Sequence, residues 1–444
     1  MKKILFDKTV LSWALYDWAN SAFATTVVAG FFPVFYTLLS AELTTRDAQF
    51  WFNITLAVSS ILIAIAAPVL GAIADRGGRR KKFLATFAML GILMSAGLAW
   101  VGAGMWWMGL LIYGLGQIGF SGANIFYDAM IVDLSSEEDL DVVSGYGYAL
   151  GYAGGGILFL VNVLMVTKPQ LFGLADPGTA LSLSFISVAI WWAIFTAPLL
   201  WVVKETTSQS QTTLAQTTLA QTTFGQSIRQ GFQQLRITYR ELRQLKAALL
   251  FLAGYWLYID GVGTIYKMAI FFANRVLELP QESLITALLL TQFVAFPAAL
   301  FFGWLGKRIG PKSGILIGLI VYTLAVFYAW GWLDSAADFY KLAVAIGLVQ
   351  GGVQSLSRSL FARLIPISKT AEFFGFFNMV GKFASILGPL LMAAVPVLFA
   401  RSEARDSILV LVMLFAAGGY VLLKVNVKNG IQAAKDIEYK LTPH

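Results

Sequence analysis

Apolar stretches of about 20 residues, long enough to cross the hydrocarbon core of a bilayer as a helix, recur along almost the whole chain. This recurrence constrains the fold more than any other feature. Inside lipid every backbone N–H and C=O must be paired within its own segment, so stretches of this length span as α-helices. Windows of that length place twelve spans, at 10–40, 49–74, 83–102, 106–132, 142–167, 179–203, 247–273, 284–305, 314–333, 339–362, 372–399 and 407–424. The composition agrees: 58% of the 444 residues are hydrophobic and 13% are charged, too apolar a mix for a soluble domain. One cleavable leader would explain one such stretch and not twelve. The expected fold is an all-α integral membrane protein.

Composition also excludes several kinds of chemistry. The chain has no Cys, and its single His is His444, which removes disulfides, thiol chemistry, most zinc sites and histidine proton relays. No cofactor or metal is expected. No G-x-x-x-x-G-K-[ST] loop is present, so the chain does not drive transport with ATP by itself. The formal charge of +8 reads as loop asymmetry rather than as a nucleic-acid surface, because Lys and Arg concentrate in the loops that share a side with the N-terminus. That bias, with the basic "MKK" start, predicts both termini in the cytoplasm and a plasma (inner) membrane location.

Between spans six and seven the chain turns polar, and "QTTLAQTTLAQTTFG" repeats a short unit of a composition that need not pack. After it Ile228, Phe232, Leu235, Tyr239 and Leu242 recur at helical spacing. Arg229, Arg236, Arg240 and Arg243 are available there to face anionic headgroups, which predicts an amphipathic helix on the inner leaflet; a solvated charged helix is the alternative. The expected organisation is a six-helix bundle over 1–204, a linker over 205–246, a second six-helix bundle over 247–424 and a tail over 425–444. The halves repeat. At a constant offset "GAIADRGGRRKK" (71–82) matches "GWLGKRIGPKSG" (303–314), pairing Gly71 with Gly303, Arg76 with Arg308, Gly78 with Gly310 and Arg80 with Lys312. Repeated halves are the architecture of many secondary transporters.

Residues 71–80 fit G-x-x-x-D-[RK]-x-G-[RK]-[RK], the loop pattern of the major facilitator superfamily. "YDWANSAFATTV", "YIDGVGT", "GGVQSLSRSLFARLIP" and "EFFGFFNMVGKFASILGP" resemble the branch of autophagy-related vacuolar effluxers and their bacterial relatives. The resemblance implies that helices 1, 4, 7 and 10 line a central cavity and that helices 3, 6, 9 and 12 face lipid. It also implies a latch at Gly71, Asp75, Arg76, Gly78, Arg79 and Arg80 that holds the halves closed on the cytoplasmic side. The second loop has Lys307 where an Asp would stand and Pro311 where a base would, so the charge latch is expected in the first half.

The polar residues agree with that layout. Spans one, four, seven and ten hold Asp17 and Asn20, Asn124 and Asp128, Asp260 and Lys267, and Gln350, Gln354 and Arg358, and span eleven adds Asn378 and Lys382. Intramembrane ionisable groups are costly and face a bundle interior or a water-filled path, so these are the cavity candidates. Asp17, Asp128 and Asp260 are the candidates for proton coupling, with Asp260 nearest the middle of its span. Asp17 fits two readings, a titrating cavity group or a carboxylate favoured by the start of its helix. Gly147, Gly151 and Gly155 share a helix face and predict close packing in span five.

The expected function is a secondary active transporter, working as a monomer in the lipid bilayer on a small-molecule substrate and possibly protons. The resemblance suggests amino acids. An exporter of amphipathic or toxic compounds is the alternative. A membrane-embedded enzyme fits less well, since the acids are spread over several helices without a nucleophile or metal set, and a non-transporting sensor would bind ligand without flux.

Overall fold

The structure is a computed structural model that describes residues 2–205, 236–275, 277–384, 387–398 and 406–441. Twelve long helices run through the described residues: α1 (Lys8–Leu39), α2 (Thr45–Gly77), α3 (Arg80–Gly97), α4 (Trp106–Ala129), α5 (Leu140–Thr167), α6 (Pro177–Val202), α7 (Lys246–Arg275), α8 (Gln281–Ile309), α9 (Pro311–Trp332), α10 (Ala336–Arg363), α11 and α12 (Val410–Leu423). Of these, α11 is broken into Thr370–Phe383 and Leu387–Leu398. The expected twelve-helix architecture is present.

Local chemistry sets the helix starts. Asp7 accepts from Thr9 N at 2.8 Å and Val10 N at 3.2 Å and caps α1, so Asp17 lies well inside the helix and is not its cap. Asp176 accepts from Gly178 N and Thr179 N and caps α6, which begins with Pro177 in the favoured first position. Ten helices among the described residues are long and apolar enough to cross a membrane. The other two long ones, α4 and α10, have the length but not the apolarity, because they carry Asn124, Asp128, Gln350, Gln354 and Arg358. Those two helices occupy equivalent places in the two halves. In contrast, α3, α6, α9 and α12 present exposed Met89, Leu93, Ile190, Ile194, Ile320, Leu324 and Met413. Apolar side chains left outward in such numbers belong against lipid.

The closest packing between the halves comes from two helix pairs: α5 crosses α8, and α2 crosses α11. In the repeat α2 is equivalent to α8 and α5 to α11, so a pseudo-twofold axis exchanges the two crossings. A side chain at Gly71 would place its Cβ 2.2 Å from Ala371 O, and one at Gly303 would place it 3.0 Å from Asp141 O. Each repeat-matched glycine thus lets its helix approach the opposite half. Gly78 and Gly310 follow the same symmetry, both turning the chain at positive φ, 53° and 86°.

The loops after α2, α4, α6, α8 and α10 gather at one end, termed here the loop end. Lys81 Nζ donates to Val203 O at the close of α6, and Lys312 Nζ donates to Leu423 O at the close of α12, a repeated capping of the sixth helix of each half. A helix, α13 (Val427–Leu441), lies across the loop end, where Lys435 pairs with Glu137 at 3.0 Å and Glu438 accepts from Ser368 N and Oγ.

One expectation is corrected here. Residues 236–244 are helical, but Thr238 and Leu242 are buried, Glu241 pairs with Lys369 at 2.6 Å, and Tyr239 is exposed. This stretch therefore packs on protein and does not offer Tyr239 and Leu242 together to a membrane. Ile228, Arg229, Phe232, Leu235 and the repeat before them lie outside the described residues.

Candidate substrate cavity and gate

A cavity of about 370 Å³ lies between the halves. Its wall includes Asp17, Asn20, Asn124, Asp128, Gln350, Gln354, Arg358 and Asn378, so eight of the residues named from the sequence meet around one space. Their spacing explains why: Gln350, Gln354 and Arg358 recur every four residues and therefore share a face of α10.

Arg358 is the centre of the site. It is 1% exposed, and its guanidinium reaches from the second half into the first. Nη1 donates to Asp128 Oδ1 at 2.9 Å and lies 3.6 Å from Asp17 Oδ2, Nε donates to Ser144 Oγ at 2.9 Å, and Nη2 donates to Ser144 O at 3.0 Å. Aromatic faces enclose the rest: its Cζ stands 4.4 Å from the Tyr148 ring centroid, 4.9 Å from Trp13 and 5.3 Å from Tyr127. A planar cation with fixed donors, desolvated among aromatic rings, is held by charge, hydrogen bonds and ring quadrupoles together. Tyr127 also donates its hydroxyl to Asp17 Oδ2 at 2.9 Å, and Trp13 Nε1 donates to Tyr127 O. Asn20 Nδ2 donates to Asn124 Oδ1 at 2.5 Å, joining α1 to α4.

Away from the loop end the wall becomes apolar. A second cavity of about 220 Å³ shares Ala29, Leu288 and Thr291 with the first and is otherwise lined by residues such as Phe159, Leu284, Phe339 and Ile346. Its wall reaches Gln281, the first residue of α8 at the opposite end. Gln292 Nε2 donates to Thr25 Oγ1 at 2.5 Å and bridges the halves along this path. Thr25 belongs to a π-helical stretch, Phe23–Phe31, inside α1. Such stretches are rare and concentrate at functional sites.

The loop end is sealed by charge. Asp75 Oδ1 accepts Arg80 Nε at 2.7 Å and Ala371 N at 3.2 Å, while Oδ2 accepts Glu372 N at 2.9 Å. Its carboxylate thus sits on the N-terminus of the first α11 segment, where the helix dipole favours an anion. Arg80 also pairs with Asp133 at 2.9 Å and donates to Ile367 O.

A family model described as "Vacuole effluxer Atg22 like" matches residues 42–435. The chain belongs to the Atg22-like branch of the major facilitator superfamily. An MFS-type transporter of Bacillus subtilis, YxiO, is 37% identical to it over 94% of each chain. Autophagy-related protein 22 of Yarrowia lipolytica is 27% identical over 67% of this chain and 52% of its own length. Among solved structures, the proton:xylose symporter XylE superposes with TM-score 0.70 at 14% identity, over 98% of this chain and 99% of that one. The human organic anion transporter MFSD10 superposes at 0.68 with 15% identity, over 94% and 99%. At such identities these two likenesses speak to the fold.

The Atg22-like transporter uses some of the expected residues elsewhere. Asp260 is fully buried and does not line the cavity: it accepts Leu387 N and Gly388 N, each at 2.8 Å, and Thr264 Oγ1 at 3.1 Å. Its carboxylate caps the second segment of α11 at the break, a buried charge held by backbone donors. Lys382, one turn before the break, also stands off the cavity wall. The side chains of Lys267 and Arg76 lie outside the described residues. Arg79 makes no ion pair among the described residues and serves through its backbone, Arg79 N donating to Ala74 O at 3.0 Å. Gly151 and Gly155 pack on Ser21 and Thr25 of α1, while Gly147 lies under Arg358, Trp13 and Tyr127.

The sequence reading missed Trp13, Thr25, Tyr127, Ser144, Tyr148 and Gln292. Ser144 and Tyr148 stand in "SGYGYALGYAGGG", where Gly145 meets α8 at Ala299 and Gly303, and Gly151, Gly154 and Gly155 meet α1. The ion pairs that the second half makes at this end were missed as well. Lys307 pairs with Asp139 at 2.5 Å, and Arg363 holds Asp141 with Nη1 at 2.8 Å and Nη2 at 3.0 Å. Lys307 in place of an acid does not remove the charged contact from that half; it reverses its polarity, because Asp139 and Asp141 at the start of α5 supply the carboxylates.

Proposed function

We propose that this protein moves a small zwitterion, an amino acid, across the membrane by alternating access, coupled to protons. The observation that carries the reading is the single Arg358 between Asp128 and Asp17 inside the cavity. Among the described residues, with both acids ionised the site holds one more carboxylate than cation, and a buried site of that kind takes up either a proton or an ammonium group. Asp17 is the more loosely held acid, 3.6 Å from the guanidinium against 2.9 Å for Asp128. It is therefore the coupling residue in this scheme. Gln350 Oε1, buried on the cavity wall without a hydrogen-bond partner among the described residues, is an acceptor suited to the ammonium. Asn124, Gln354 and Asn378 supply further polar edges.

In this reading the positive loop end faces the cytoplasm, the chain works as a monomer in the plasma membrane, and the described conformation is closed toward the cytoplasm. The second, apolar cavity favours an alternative, an exporter of amphipathic compounds, whose tail it would accept.

The test is uptake of a pool of labelled amino acids into proteoliposomes, with and without an inward proton gradient. Asp17→Asn is expected to lose gradient-driven accumulation and keep counterflow. Asp260→Asn is expected to lose both, because it loosens the cap of α11. If no amino acid moves with the wild-type chain, the zwitterion reading falls and amphipathic cations are tested in the same vesicles.

A further inference from the structure

The cavity is longer than a single amino acid. Gln350 and Arg358 stand eight residues apart on α10, about 12 Å along the axis at 1.5 Å per residue, with Gln354 halfway between them. Along α1 the wall runs from Asp17 to Ala29, about three turns. An extended backbone advances at most about 3.6 Å per residue. One amino acid therefore reaches the acids beside Arg358 or the far end of the row, and not both.

The wall between those ends is rich in carboxamides. Among the described residues Asn20, Asn124, Gln292, Gln350, Gln354 and Asn378 line the cavity. Four of them are bonded within the protein: Asn20 donates to Asn124, Gln292 to Thr25, and Asn378 to Phe374 O at 3.0 Å. The two on α10 are available. Gln350 Oε1 is buried without a partner, and Gln354 makes no side-chain hydrogen bond among the described residues. A buried acceptor left unpaired is costly, so such a group calls for a partner from outside the chain.

The chemistry of the row selects that partner. A carboxamide offers an acceptor oxygen and N–H donors, the pair that a peptide group presents, so each satisfies the other edge to edge. Gln350 and Gln354 are one turn apart, about 6 Å along α10, within the span of two extended residues at about 7 Å. The same face of α10 continues toward the opposite end as Ile346, Ala343 and Phe339, which wall the second cavity of about 220 Å³. In order along the path the site thus offers acids, carboxamides and an apolar chamber. A short peptide with a free N-terminus and an apolar last side chain carries its groups in that order.

We infer that the cavity takes peptides of two or three residues as well as single amino acids. The ammonium sits at Asp17 and Asp128, the peptide groups lie along Gln354 and Gln350, and the last side chain enters the second cavity. The inference rests on the amino-acid reading for its acidic end. Gln350 and Gln354 set the preference for length, because a single residue leaves at least one of them unpaired.

The probe is labelled alanyl-leucine, offered to proteoliposomes of the full chain under an inward proton gradient. Uptake is expected to saturate and to be inhibited by unlabelled alanyl-alanyl-leucine. N-acetyl-alanyl-leucine, which lacks the ammonium, is expected not to compete. In the double variant Gln350→Leu with Gln354→Leu, the KM for alanyl-leucine is expected to rise about tenfold more than the KM for leucine, because the dipeptide loses two contacts and the amino acid at most one. Binding is read apart from flux: alanyl-leucine is expected to raise the unfolding temperature of the parent and not that of the double variant. The variant alone is expected to unfold no lower than the parent, since it removes no hydrogen bond printed between these carboxamides and the described residues. Leucine uptake without alanyl-leucine uptake or thermal shift overturns the peptide proposal and leaves the amino-acid reading standing. Equal rises in the two KM values overturn it too, since the row then reads no second residue, as does competition by the acetylated peptide equal to that of the free one. Alanyl-leucine uptake in a protein that moves no amino acid would defeat the amino-acid reading alone.

Discussion

The two charge clusters of the loop end occupy symmetry-related places and use opposite charges. In the first, α2 brings the carboxylate of Asp75 to the N-terminus of α11, where two backbone N–H groups and Arg80 receive it. In the second, α8 brings the cation of Lys307 to the N-terminus of α5, a position its dipole disfavours. Asp139 and Asp141 at that terminus reverse the local field, and Lys307 and Arg363 bind to them. The fold thus preserves where the halves touch and leaves the sign of each contact to whichever helix carries the acid. Reliance on backbone donors differs too: Asp75 keeps two of them when Arg80 is lost, whereas among the described residues Asp141 keeps only Ser359 when Arg363 is lost.

This difference is open to test. The largest effect is expected from Arg363→Ala, which strands a buried carboxylate and costs roughly 3–5 kcal/mol of stability. Arg80→Ala, whose acid partner keeps its amide donors, should cost about 1–2 kcal/mol. Thermal unfolding of the purified proteins measures both, and equal losses would erase the distinction. Next in size is Gly71→Ala, whose new methyl would stand 2.2 Å from Ala371 O. Overpacking of that kind costs about 1–3 kcal/mol. Gly303→Ala, with its nearest contact at 3.0 Å, should be milder, and transport rates beside unfolding temperatures will rank the two. Lys307→Asp, which restores the acid of the superfamily loop, should weaken closure by about 1 kcal/mol, because the new charge meets Asp139. Adding Asp139→Lys should recover the loss; a stable Lys307→Asp protein would show that polarity is immaterial there.

The smallest effect concerns pH. Partial burial pushes the Asp139 carboxyl up, but hydrogen bonds from Lys307 and Ser136 outweigh it and hold the group below the usual carboxylate range. A depressed acid contributes stability above its unfolded value and loses it as pH falls through the folded one. The Lys307 and Asp139 contact should therefore contribute the same stability between about pH 5 and 8, and the unfolding temperature of Lys307→Ala should follow the same pH profile as the parent over that range.

Much of this was legible in the chain. The spans, the repeat and the polar character of α4 and α10 follow from local composition, and the cavity stripe on α10 follows from helical periodicity. Asp17, Asn124, Asp128 and Arg358 converge because each is the costly residue of a helix that has no other place to put it. Asp260 was misplaced for the same reason: a carboxylate deep in a span reads as a cavity group, and the break in α11 that employs it belongs to another helix. The second charge cluster was discounted because one loop was compared with a pattern, while its acids come from α5. Asp141 and Arg363 lie 222 positions apart, and no local pattern joins them.

The sequence by itself determined that the chain crosses a membrane as helices in two related halves, since lipid leaves the backbone no other means of pairing its polar groups. It also determined which helices carry the charge, since the price of an ion in lipid restricts charge to interior faces. Only the tertiary structure decided which charges meet. Partner choice depends on the approach of helices from opposite halves, set by small residues such as Gly71 and Gly303 that allow contact, and a buried ion is stable only with the partner that this approach delivers.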